Sequence, residues 1–504
     1  MTSKLYSIEL VGMEACLVEI EVDKLGGIPH FTIVGLPDAA VKEASERVRS
    51  AIKNSDLPFP RSKIVVNLAP ADLRKVGPRY DLAIAMGILA IEEEVEPDLL
   101  KEIIMTGELA LDGKVRPVTG ILSSVDFARK TGFKRMMVPA DNAHEAALIQ
   151  GIEILPVRTL REAVLYVKNE LRALPINSKE QNSCRISEVD MSMVRGQREA
   201  KRALEIAAAG GHNLLMSGPP GAGKTLLARA LAGILPSMGQ EEMLEVTKIY
   251  SIAGLIPKSQ PLITARPFRS VHHTASAISI VGGGAMPAPG EISLSHQGVL
   301  FMDEIAEFPQ HVLDVLRQPL ESRSITVSRA RGSFTYPAEF TLVAAMNPCP
   351  CGYFNTGQRS KSCGCTNHQI RQYQKRLSGP LLDRIDLHLD VQPVEHQQLT
   401  EAEETENSEM VRQRVEKATR VQRERFKEFR FKKNASMDNR ATEKFCKLDK
   451  EGKRILEVAV QKMGFSARAY FRILKLARTS ADLEGVADIK EKHVAEALHF
   501  KNKI

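Results

Sequence analysis

Short apolar runs alternate with helically spaced segments along most of this chain. Leu214-Leu215-Met216 reads as a buried strand, and the periodicity from Leu226 to Leu235 predicts a helix. Gly298 to Met302 is a second short apolar run, closed by two carboxylates, Asp303 and Glu304. Such a run suits a strand covered on both faces, as in a parallel sheet. Ala344-Ala345-Met346 is a third, ending in the amide of Asn347. From Met191 to about residue 394 the alternation of strand and helix predicts a parallel α/β domain. Residues 1–170 also mix strands and helices, and Phe31 to Asp38 and Val66 to Asp72 read as strands running into loops. From Val411 to residue 504 the spacing is helical and glycine is scarce, which predicts an all-α C-terminal lid. Residues 171–190 and 395–410 are polar, without apolar periodicity, and read as linkers.

The segment between the first strand and its helix carries the clearest chemistry. Gly218-Pro219-Pro220-Gly221-Ala222-Gly223-Lys224-Thr225 fits the phosphate-binding pattern G-x-x-x-x-G-K-[ST] in the strand–loop–helix setting the pattern requires. Glycines let backbone N–H groups close around an anion, and the helix N-terminus adds partial positive charge. Lys224 is then expected to reach the β- and γ-phosphates of ATP, and the Thr225 hydroxyl to hold Mg²⁺. Asp303 is expected to complete the Mg²⁺ shell, and Glu304 to polarise the attacking water as general base. Lys224 and Asp303 stand 79 positions apart (303 minus 224), more than one helix–strand–helix unit needs, so an insertion is expected. Residues 266–290, crowded with glycine and proline toward their end, are expected to supply it. Ser324 to Phe334 reads as a second hairpin, with Arg329 and Arg331 near its tip.

Composition narrows the class. The 504 residues suggest roughly three domains, and 43% hydrophobic with 26% charged residues is ordinary for a globular protein. No apolar run is long enough to span a bilayer, and the first residues lack a signal peptide's apolar stretch. Seven cysteines, an odd count, argue for a reducing cytoplasm rather than a disulfide framework. Residues 1–170 carry 21 Lys+Arg against 25 Asp+Glu, and the remainder 48 against 37, so +11 of charge accompanies the nucleotide machinery. That asymmetry suits a polyanion partner.

Four of the cysteines, Cys349, Cys351, Cys363 and Cys365, form C-x-C…C-x-C within 17 residues. They are either a structural Zn²⁺ site of four thiolates or four reduced thiols in a loop, C-x-C being tighter than the usual ligand spacing. His272 and His273 are expected to make polar loop contacts or to meet phosphate, because neighbours on a strand face opposite sides and would not converge on one ion. Residues 411–433 hold 10 Lys+Arg against 3 Asp+Glu with Phe426, Phe429 and Phe431 interleaved. A solvated helix face with its phenylalanines in the core is the expectation there, ahead of a phosphate-tracking helix.

Several segments resemble known families. Residues 102–122 and Val76-Gly77-Pro78-Arg79-Tyr80-Asp81 resemble the proteolytic domain of Lon proteases. Arg79 and Leu122 stand where that family keeps its Ser and Lys, so the resemblance implies an α+β Lon-protease-like fold without the dyad. Ala344 to Asn347 is similar to the segment where AAA+ ATPases keep their sensor-1 residue, here Asn347. Leu381 to Asp386 resembles the segment of the magnesium-chelatase and helicase branch that carries the arginine finger, here Arg384. Ser466-Ala467-Arg468 is similar to the sensor-2 position, here Arg468. With His272-His273-Thr274, Pro289 to Leu294 and Asn347 to Gly352, the order of parts resembles the ComM/YifB family of magnesium-chelatase-like proteins over nearly the whole chain. The resemblance implies a bacterial cytoplasmic protein assembled as a homo-hexamer, with pore-lining insertions. It also implies an ATP-driven motor on single-stranded or branched DNA, a helicase promoting branch migration during natural transformation. The alternatives are a magnesium-chelatase motor subunit and an ATP-dependent regulator that remodels proteins through its N-domain.

Overall fold

The computed structural model describes residues 2–173, 189–257, 259–284, 288–329, 332–355, 362–393 and 406–501. Most of both expected linkers (174–188 and 395–405), residues 285–287 of the expected insertion, Arg331 and the side chain of Arg329 lie outside the described residues. The chain forms two compact units, Met1–Asn182 with Met243–Ile263, and Ser183–Glu242 with Thr264–Ile504.

The first unit is built on a seven-stranded mixed sheet. Its spatial order is Phe31–Val34, Lys63–Ala69, Glu14–Leu25, Thr2–Val11, Ile103–Met105, Arg135–Pro139, Glu153–Val157. Alternation in Thr2–Val11 sends Leu5 to one buried face of the sheet and Ile8 to the other, and in Lys63–Ala69 it puts Ile64, Val66 and Leu68 in the same core as Leu5. The helix Asp81–Ile91 is apolar nearly all round, and every one of its residues is buried. It lies so close to the sheet that a Cβ on Gly87 would stand 2.6 Å from Val22 Cγ2. Asp81, its single charge, is paired with Arg47 at 2.8 Å, and burial lifts its carboxyl to about 6. At the Lon-like positions Leu122 is fully buried, and Arg79 donates to the Thr119 carbonyl at 3.3 Å.

The second unit holds a five-stranded sheet, parallel throughout, ordered Phe268–Val271, Val299–Met302, Thr341–Met346, Leu214–Ser217, Leu387–Asp390. Here the structure corrects the sequence reading. Phe268–Val271, assigned above to an insertion, is the edge strand of this sheet. The rest of that stretch does intervene between the edge strand and Val299–Met302, as the helix Ala277–Val281 and the paired strands Gly282–Gly283 and Ala288–Pro289, and a further excursion, Met243–Ile263, belongs to the first unit. Leu244 joins that unit's core, Lys248 pairs with Asp126 at 2.7 Å, and the Gly120 amide donates to the Ser251 carbonyl at 3.0 Å. The error has a physical source. The edge strand is four residues long, has only one neighbour and carries Arg269 and Ser270 at its centre, so its composition reads like a loop.

The C-terminal helices Ser408–Arg425, Asn439–Phe445, Lys450–Met463, Ala467–Leu483 and Glu491–His499 share one hydrophobic core with the sheet. In Ser408–Arg425 the buried residues Val411, Val415, Ala418, Thr419 and Gln422 fall on one stripe, with Lys417, Arg420 and Arg423 in solvent. Phe426, Phe429, Phe431 and Phe445 form an edge-to-face aromatic cluster. Much of the charge run is therefore the solvated face of a packed helix, while Arg414 pairs with Glu205 and Arg425 with the buried Asp482.

Candidate nucleotide site

Three adjacent parallel strands, Leu214–Ser217, Thr341–Met346 and Val299–Met302, bring their C-terminal ends together. In an open α/β sheet that crevice is where ligands bind. The loop after the first strand is tied to the second by the Gly218 amide, which donates to the Met346 carbonyl at 3.3 Å. Gly223 sits at φ +87°, a conformation side chains disfavour, and hands over directly to the helix Lys224–Ile234.

Lys224 folds back over its own loop. Its Nζ donates to the carbonyls of Gly218 (2.6 Å) and Pro219 (3.0 Å) and to Asn347 Oδ1 (3.2 Å). Burial lowers its pKa, while Asp303 and Glu304 oppose that shift. The Thr225 hydroxyl lies 3.3 Å from Asp303 Oδ2, and Asp303 Oδ1 accepts from the Glu304 amide at 3.0 Å. Glu304 itself leaves the strand at φ +50°. Lys224, Thr225, Asp303, Glu304 and Asn347, scattered over some 120 positions, thus meet at one crevice, with the middle strand setting Asn347 between loop and carboxylates. The oxygen pair Thr225–Asp303 fits a hard cation such as Mg²⁺, and the amide-rich loop Gly218–Thr225 fits phosphate.

The two arginines form a second group. Arg384 donates from Nη2 to Glu321 Oε2 and from Nη1 to the Pro380 carbonyl, both at 2.6 Å, and is only 8% exposed. Arg468 reaches the other oxygen of Glu321 at 3.7 Å from an exposed position just inside the helix Ala467–Leu483. Glu321 was not identified from the sequence. It sits in the short helix Arg317–Ser322 without any motif around it, so no local signal marks it.

The four cysteines converge. Sγ separations are 3.3 Å for Cys349–Cys351, 3.7 Å for Cys349–Cys363 and 3.6 Å for Cys351–Cys363, with Cys365 within 4.8 Å of each. Four sulfurs about 2.3 Å from a tetrahedral Zn²⁺ stand about 3.8 Å apart, so the set fits that ion. Within the cluster the amide of Tyr353 and the Cys349 thiol pull the Cys351 thiol down to about 6, while burial and the neighbouring thiols push Cys363 and Cys365 up, so the case for an ion rests on the sulfur geometry. Gly352 in this loop, at φ +86°, leaves so little room that a Cβ would stand 2.6 Å from Pro220 Cδ of the phosphate loop.

His272 and His273 overturn the expectation of divergence. The edge strand ends at Val271, so strand alternation no longer separates them. Their rings lie 4.1 Å apart, and His273 Nδ1 stands 3.1 Å from Glu304 Oε2.

No described helix is long and apolar enough to cross a membrane. Family models match the chain in three stretches. Residues 190–399 match "Magnesium chelatase, subunit ChlI", residues 20–142 "Subunit ChlI of Mg-chelatase", and residues 405–501 its C-terminal part. Competence protein ComM of Haemophilus influenzae is 43% identical, across 98% of this chain and 96% of its own length. YifB of Escherichia coli is 44% identical, across 97% and 95%. Lon protease 2 of Bacillus subtilis is 28% identical over 29% of each chain. Shared sequence along nearly the full length, and a parallel five-stranded core carrying the phosphate loop, lead to one conclusion: the chain belongs to the ComM/YifB family of magnesium-chelatase-like AAA+ proteins.

Proposed function

We propose that this protein is a cytoplasmic Mg²⁺-dependent ATP hydrolase that works as a homo-hexameric motor on DNA, in the manner of a branch-migration helicase. The observation that carries the hydrolase reading is the meeting of Lys224, Thr225, Asp303, Glu304 and Asn347 at one crevice. The loop Gly218–Thr225 would hold the phosphates, with Lys224 exchanging its carbonyl contacts for phosphate oxygens. Thr225 and Asp303 would hold Mg²⁺, which when bound neutralises phosphate charge. Glu304 takes the proton of the attacking water, and Asn347 orients that water. Arg384 supplies cationic charge to a neighbouring subunit's phosphates, which makes turnover depend on assembly, and Arg468 serves as the sensor-2 arginine.

The DNA reading is supported by the name and full-length similarity of competence protein ComM, and by the +11 balance beyond residue 170. The description of the matched family models favours one second reading, a chelatase motor subunit. Zn²⁺ held by Cys349, Cys351, Cys363 and Cys365 would staple the loop that abuts Pro220.

The test is ATP turnover with and without single-stranded and forked DNA, at stated salt, followed by a branch-migration assay. Glu304→Gln is expected to keep nucleotide binding and to lose about 10²–10⁴-fold in turnover, the usual worth of a general base. Normal turnover in that variant would refute the assignment of Glu304. Turnover stimulated by a tetrapyrrole-synthesis partner and not by DNA would favour the second reading.

A further inference from the structure

The edge strand Phe268–Val271 runs parallel to Val299–Met302, so the residues that follow each strand emerge side by side. That register delivers His272 and His273 beside Glu304, and ligand atoms of the three side chains lie within 4.8 Å of one another. We propose that His272, His273 and Glu304 form a site for a borderline transition-metal ion of the Zn²⁺ class, and that its occupancy takes Glu304 out of water activation and slows ATP turnover. The inhibitory half rests on the reading of Glu304 as general base.

Three observations carry the site. First, His273 Nδ1 is buried without a hydrogen-bond partner, although Glu304 Oε2 lies only 3.1 Å away. The contact is close but not aligned for an N–H donor. Two ligands at about 2.0–2.1 Å from a tetrahedral Zn²⁺ stand about 3.3 Å apart, so the observed separation already matches one edge of such a shell. Second, the rings are held in place. The Thr274 hydroxyl sits 3.0 Å from His272 Nδ1 and can accept its N–H, the tautomer that frees Nε2 for a metal, in exchange for the 3.4 Å contact that the Thr274 amide makes with Nδ1. The His273 ring stands edge-on to Phe308, with centroids 6.5 Å apart. Outer contacts of this kind fix ligand orientation in metal sites. Third, the donor set selects the ion. Two imidazoles and one carboxylate suit Zn²⁺, Co²⁺ or Ni²⁺, whereas Mg²⁺ prefers oxygen and fits Thr225 and Asp303. The two cations are thus drawn to neighbouring but chemically distinct places, one supporting turnover and the other blocking it. Three protein ligands leave coordination positions open for water or a phosphate oxygen.

The experiment uses the full chain, loaded with a single equivalent of Zn²⁺, which the four thiolates of the cysteine loop take in preference, then titrated with Co²⁺ without nucleotide. Co²⁺ on nitrogen and oxygen gives weak visible bands, without the strong charge-transfer absorption of thiolate ligation. One further equivalent of Co²⁺ with the weak spectrum is expected, and it should be lost in His272→Ala, in His273→Ala and in Glu304→Gln. In excess Mg²⁺, saturating Co²⁺ should lower wild-type turnover by roughly tenfold or more, since a general base contributes at least that much. His272→Ala and His273→Ala should resist, each measured against its own rate without Co²⁺. Absence of the further equivalent would overturn the proposal, as would equal inhibition of the two histidine variants or uptake of Co²⁺ without inhibition. Failure of Glu304 as base would show separately, as normal turnover of Glu304→Gln without Co²⁺.

Discussion

Replacing Asp386 by Asn removes one negative charge and almost no volume from the place where the Arg384 segment is anchored. Asp386 is 5% exposed. Its Oδ1 is paired with Arg472 of the helix Ala467–Leu483, and its Oδ2 meets His212 Nδ1 at 3.3 Å and accepts from the Asn213 amide at 3.2 Å. The Asn213 side chain in turn donates to the Arg384 carbonyl at 3.0 Å and accepts from the Leu342 amide at 2.9 Å. Burial opposes ionisation of Asp386, but Arg472, His212 and Lys501 outweigh it and hold the carboxyl well below the usual carboxylate range. Removing one member of a buried pair costs about 3–5 kcal/mol, and because the Arg472 side chain keeps 21% exposure the expected loss is near the lower end, about 3 kcal/mol. Urea unfolding at pH 7 measures this directly. With the folded pKa below the unfolded one, the contribution is complete above about pH 4 and is lost as pH falls further, so the gap between wild type and variant should stay level from pH 8 to 5. Turnover should fall while nucleotide binding persists, because Arg384 loses its anchor and Lys224 does not. A gap under about 0.5 kcal/mol would refute the reasoning, since that is what a surface site gives. So would a gap that closes between pH 7 and 5, which would trace the effect to a histidine.

His388 is 6% exposed with neither ring nitrogen hydrogen-bonded, and burial, helped by Lys501, pulls its pKa to about 3. The unfolded chain therefore binds the proton first and stability drains as pH falls below 6.5, so His388→Phe should gain about 2 kcal/mol on wild type between pH 8 and pH 5 in the same unfolding assay. Gly352→Ala adds a methyl group 2.6 Å from Pro220 at φ +86°, and should cost about 1–3 kcal/mol while weakening ATP binding in a fluorescent-nucleotide titration. Purified protein should carry about one Zn²⁺ on the four cysteines, as such closed sites do. Its removal by a chelator should lower the melting midpoint and loosen nucleotide binding through the same loop.

The chemistry legible from the chain alone was the chemistry written in consecutive residues. Gly218 to Thr225 must turn and then start a helix, and Val299 to Glu304 must end a buried strand in carboxylates. Local backbone preference and apolar periodicity dictate both, so the phosphate loop, its acidic partner and the succession of mixed, parallel and helical structure could be read directly, while Asn347 rested on the resemblance to AAA+ ATPases. The cysteine pairs were visible for the same reason. Only the fold decided what lies between distant segments. Glu321 joins Arg384 from 63 positions away, and Asp386 joins Arg472 from 86. No periodicity encodes such pairs, because they follow from which helix packs on which strand. The histidines show the limit most sharply. Alternation holds only while a strand lasts, and this one stops at Val271, so parallel pairing with Val299–Met302 rather than local geometry brings His273 to Glu304. The destination of Met243–Ile263 was hidden likewise. A helix whose apolar residues are only weakly segregated gives little signal of the surface it covers, and tertiary packing alone chooses it.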